Sequence, residues 1–138
     1  MKAPTASELL NQHTVRQALE SAWLDSQPDS QRERHEEGGW IYMDMTTGLI
    51  TVRRVEHGGP ALIDLNHPPL VAGSVVVGKF HTHPNPTSDG WEPGPSKSDR
   101  RLDQLHGVPD LIRSDSGVYF SGPERRRGGI SGSPGYTS

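Results

Sequence analysis

The chain has 138 residues, 30% of them hydrophobic, with 14 basic and 17 acidic side chains and a net charge of −3, enough for one compact domain. That balance argues against nucleic acid or an anionic membrane surface as a partner, and no run approaches the ~18 apolar residues of a membrane-spanning helix. There is no cysteine, which excludes a disulfide framework, a thiolate nucleophile and a thiolate zinc site. No apolar leader core follows Lys2, so the expected location is cytoplasmic.

Thr5 and Glu8 spell a capping box. Leu10, Val15, Ala18, Leu19, Ala22 and Trp23 then recur at helical spacing, predicting one helix from Ala6 to Leu24. The stretch DSQPDSQRERHEEGG is polar and turn-rich and reads as a loop. GGWIYMDM and LITVRRVEH flank the turn TTG at 46–48 and predict a hairpin. ALIDL predicts a third short strand, followed by a loop in LNHPPLVAG. SVVVGKFH is the most apolar run and suits a central strand buried on both faces. SKSDRRLDQLHG reads as a helix that starts at Ser96 and stops at Gly107. DLIRSD, the turn DSG and VYFSG predict a last hairpin, and residues 123–138 a disordered tail. Arg100-Arg101 and Arg125-Arg126-Arg127 read as solvated surface. The order of elements predicts an α/β (α+β) domain with a mixed β-sheet flanked by helices, divided as an N-terminal helix over 1–30, a main domain over 31–122 and the tail.

The chemistry concentrates between residues 78 and 99, GKFHTHPNPTSDGWEPGPSKSD. Residues i and i+2 of a strand share a face about 6.5–7 Å apart, so His81 and His83 can converge on one ion. Asp99, in the first turn of the next helix, can bring a carboxylate to the same point. Two imidazoles and a carboxylate leave a fourth tetrahedral position for water, the pattern of a catalytic zinc site. Each piece also has a plain reading. His-Thr-His can face solvent, and Ser96-x-x-Asp99 is a capping box. Asp89, inside the loop, is a rival third ligand.

HTHP followed by PSKSD resembles the JAMM (JAB/MPN) zinc metalloprotease signature of a glutamate, then His-(Ser/Thr)-His-Pro, then Ser-x-x-Asp. The resemblance spans roughly residues 34–122, though the twelve residues between His83 and Ser96 exceed the family's usual spacing. It implies a JAMM/cytidine-deaminase-like sandwich, one zinc ion held by His81, His83 and Asp99, and Ser96 as hydrogen-bond donor to the oxyanion. The family's general base falls in HEEGGWIY, on Glu36, which has the Glu-x-x-Gly spacing to Gly39, or on the adjacent Glu37. His35-Glu36 does not complete the zinc-protease HExxH, because Gly39 stands where the second histidine belongs.

The function so implied is hydrolysis of a peptide or isopeptide bond at the tail of a ubiquitin-like or other small protein. The short chain looks most like bacterial or phage single-domain members. The alternative is a non-catalytic JAMM-like scaffold that binds a protein partner. Trp91 is either an aromatic pin for its loop or a substrate clamp. Lys79 and Phe80 read as strand packing. His13, His57, His67 and His106 lie outside the signature and read as surface or packing residues.

Overall fold

The structure, a computed structural model, describes residues 1–128 and 130. The chain is α+β. Two helices, α1 (Ala6–Leu10) and α2 (His13–Asp25), precede strands β1 (Gly38–Asp44), β2 (Ile50–Arg54) and β3 (Ser74–Thr82); helix α3 (Lys97–His106) and strands β4 (Asp110–Ser114) and β5 (Gly117–Ser121) follow. The five strands form one mixed sheet in the order β2-β1-β3-β4-β5. β3 and β4 are parallel, joined by α3, and the other pairs are antiparallel.

The Thr5–Glu8 capping box is present, but the expected single helix is two. Six residues of uninterrupted helix would put Leu9 and Val15 about 120° apart around the axis. The break at Asn11–Gln12 lets both reach full burial, and Arg16 stabilises it by donating to the carbonyls of Leu10 and Asn11 at the end of α1. Leu9, rather than Leu10, is the core residue. The helices are not a separate unit. Leu9, Val15, Leu19 and Ala22 share one core with Ile41, Val77, Phe80 and Leu111 of the sheet.

The expected strand at ALIDL does not form. The Gly59 N–H donates to the Leu62 carbonyl at 2.8 Å, closing a turn. Leu62 stays exposed while Leu65 packs with Trp40, Tyr42 and Val108 on the sheet face opposite α1 and α2. The disordered tail also needs correction over its described part. The Ala6 N–H donates to the Glu124 carbonyl, Arg125 bridges to Thr5, Arg126 donates to the Val76 carbonyl, and Ile130 is buried against the helices. Those contacts cap the open end of α1 and fill the core beside it. Gly129 and residues 131–138 lie outside the described residues. No helix among the described residues is long and apolar enough to cross a membrane.

Candidate metal centre

β3 reaches the site through a bulge. Ile41 pairs with Gly78 but Tyr42 pairs with Val76, so Val77 is an extra residue on β3. Before the bulge Val75 and Val77 face the helix-covered core; after it Phe80 does. The alternation is thereby shifted by one, and Lys79, His81 and His83 point to the opposite face, beside Trp40. Were Val77 paired in regular register instead of bulged out, the histidines would aim into the apolar core, because side chains alternate along a strand.

The imidazoles meet at 3.1 Å, Nε2 to Nε2. Asp99 Oδ2 lies 3.4 Å from His81 Nε2 and 3.2 Å from His83 Nε2. Ligand atoms about 2.0–2.2 Å from a tetrahedral zinc ion stand about 3.3–3.5 Å from one another. The three observed separations fall within a few tenths of an ångström of that, so the donors fit a single small cation. Glu36, His81 and His83 likewise offer ligand atoms that all lie within 4.8 Å of one another. Asp89 is elsewhere, exposed and 3.8 Å from Arg34.

Each donor is positioned by the local fold. Ser96 caps α3: its Oγ accepts from the Asp99 N–H at 3.0 Å, and its own N–H donates to Asp99 Oδ2 at 2.9 Å. The capping box and the ligand geometry are therefore one arrangement, and the Ser96 hydroxyl hydrogen remains available toward the cleft. Thr82 is fully buried; its Oγ1 accepts from the Glu37 N–H and its N–H donates to the Glu37 carbonyl. Glu36, the next residue, is also held by both backbone groups, to Gly59 and Gly58. Gly38 pairs with His81, and a Cβ there would stand 2.4 Å from the Phe80 carbonyl oxygen, so only glycine permits this close approach.

The two candidate bases separate cleanly. Both Glu37 carboxylate oxygens are engaged, at 2.6 Å from His35 and 2.6 Å from Arg54. Glu36 faces the histidine pair, and burial pushes its pKa up to about 7, moderated by the charges of His81 and His83. Burial disfavours protonated His81, yet the charge and hydrogen bond of Asp110, then those of Asp99, raise its pKa well above the ordinary value. Burial likewise works against ionised Asp99, but hydrogen bonds from His81 and His83 hold its carboxyl well below the usual range.

Sequence reasoning missed Asp110. Its Oδ1 lies 3.2 Å from His81 Nδ1, which leaves Nε2 free for a cation, as in the carboxylate–histidine arrangement behind many metal ligands. The available signal was an acid opening an apolar strand, PDLI. Lys79 is more than packing: its Nζ lies 2.7 Å from Asp103 and 2.9 Å from His106 Nδ1. His106, half-buried against Trp40, has its pKa lowered by burial and then by the Lys79 charge.

The cluster opens into a cleft of about 450 Å³, walled by Leu62, Ile63, Leu102 and the half-exposed Trp91, with Ser96 and Glu36 at the donors. Such a mostly apolar hollow with a few convergent polar groups suits ligand binding. Comparison with family models, curated proteins and solved structures gives no match to this chain.

Proposed function

We propose that the chain is a zinc-dependent hydrolase of peptide or isopeptide bonds, acting on the tail of a ubiquitin-like or other small protein. The observation that carries this reading is the spacing of His81 Nε2, His83 Nε2 and Asp99 Oδ2, 3.1–3.4 Å, beside an unpaired carboxyl group whose pKa is about 7. Bound zinc supplies a Lewis acid that brings the pKa of a water to about 7 and polarises a carbonyl. Glu36 accepts a proton as the water oxygen bonds to the amide carbon. It returns that proton to the nitrogen as the C–N bond breaks, the transfer suited to a group titrating near the working pH. The Ser96 hydroxyl donates to the carbonyl oxygen as charge gathers there. Trp91 and Leu62 form the walls against which an extended tail lies.

One observation favours a second reading. Glu36 shares the 4.8 Å cluster with both histidines, so it could serve as a fourth ligand, closing the site as in a structural zinc centre and leaving a scaffold that binds a protein partner. Glu36→Gln separates the two. As a base, its loss leaves zinc content unchanged and lowers cleavage of a ubiquitin-like fusion by about 10²–10⁴-fold. As a ligand, its loss takes the zinc with it. A Glu36→Gln chain with parental activity would refute the assignment.

A further inference from the structure

Helix α3 has an unusual footing. Among its ten residues only one is fully buried, and it is an acid, Asp103; Leu105 is 80% exposed. Leu102 is only partly covered, so no wide apolar stripe fixes how α3 sits on the sheet. Asp103 instead meets Lys79 of β3 at 2.7 Å, both side chains being buried. Lys79 is held in turn by His106 Nδ1, 2.9 Å away, and lies near the Trp40 ring.

We propose that the Lys79–Asp103 pair is a register pin that sets α3 against β3 so that Asp99 lands on the imidazoles before any cation binds. The geometry is that of two rungs. Asp99 and Asp103 are one helical turn apart, about 6 Å along the axis. His81 and Lys79 are two strand residues apart, about 6.5–7 Å. The rung Lys79–Asp103 and the rung His81–Asp99 therefore repeat at matching intervals on the two elements. Sliding α3 by one residue would break both together.

Asp103 also lies against the buried Asp110 carboxyl and near the Ser121 hydroxyl. Asp110 in turn holds His81 Nδ1. An ion pair in a low-dielectric interior adds little net stability but enforces a unique alignment, because the alternative alignments leave buried charge unpaired.

This inference rests on the zinc reading above. Its test is zinc affinity, measured by competition with a chromophoric chelator, in Asp103→Asn and Asp103→Glu. Asparagine keeps the length but leaves the buried Lys79 charge without its counter-charge; glutamate keeps the charge but adds a methylene between helix and strand. A register pin predicts ~10–100-fold weaker binding for both variants as folded chains, the scale of losses on disturbing groups behind metal ligands. Affinity within about threefold of the parent in either folded variant overturns the pin. Should the parent bind no zinc, the metal reading fails separately. The pin is then read in the metal-free chain from the imidazole ¹⁵N shifts of His81 and His83, where loss of the Asp99 hydrogen bond in both variants supports it and unchanged shifts in either refute it.

Discussion

Thr82 lies between the two histidines and touches neither ring's Nε2, yet it anchors the opposite wall. Its hydroxyl and its N–H take up both backbone groups of Glu37, which aims the Glu37 side chain at His35 and Arg54 and leaves Glu36 facing the imidazoles. A similar economy holds at Asp99, where one oxygen serves the helix cap and meets both imidazoles. Such sharing has a consequence for pH. The Glu36 carboxyl rises from 4.5 in the unfolded chain to about 7, so the folded state binds more protons between those values and stability falls as pH rises from 4.5, levelling off above about 7. His81, raised, contributes stability below 6.5 that is lost as pH climbs through its folded pKa; Asp103, raised by burial and by Asp110, acts in the same direction as Glu36. Asp99, depressed, contributes above 3.8 and loses that contribution in strong acid. The metal-free chain is therefore expected to melt highest near pH 4, where the Asp99 contribution is largely present and Glu36 has not yet begun to lower stability, and progressively lower toward pH 8. Zinc, which needs its ligands deprotonated, should move that optimum to neutral pH or above. Thermal melts across pH with chelator and with zinc check this; a metal-free chain whose melting temperature keeps climbing to pH 8 contradicts it.

At the scale of elements, the bulge in β3 decides what the histidines face. The bulge absorbs Val77 as an extra residue, so Val75, Val77 and Phe80 all face the helix-covered core while His81 and His83 reach the cleft. Deleting Val77 closes the bulge with the flanking pairs kept, Val76 to Tyr42 and Gly78 to Ile41, and simple alternation still turns His81 and His83 to the cleft. The expected result is a chain that binds zinc and is less stable for want of a core side chain, as in Val77→Ala, which costs about 1–3 kcal/mol. Denaturant titration with zinc analysis checks both variants, and a folded deletion variant that has lost zinc would show that the extra residue itself aims the site.

Across the whole molecule, the parts legible in the sequence were those governed by local chemistry. The capping boxes at Thr5 and Ser96, the stop at Gly107, the two hairpins and the central β3 run follow from spacing and turn residues within a few positions. The pairing of His81, His83 and Asp99 was legible from motif order. What stayed hidden depends on distant partners. The break at Asn11 serves a core that needs Leu9 and Val15 on one side. ALIDL has strand-like alternation, but its apolar side chains go to a turn and a cleft wall. The segment from Pro123 looks featureless until α1 offers it backbone partners. Asp110, Asp103 and Lys79 have no motif at all, since a buried ion pair is defined only by the surface that closes over it. The most direct test of the central claim is metal analysis of the purified chain after dialysis against zinc at neutral pH. The account predicts one zinc per parent chain and none retained by His81→Ala/His83→Ala or by Asp99→Ala when each remains folded. A folded parent that retains no zinc, or an Asp99→Ala variant that holds it as tightly as the parent, contradicts it.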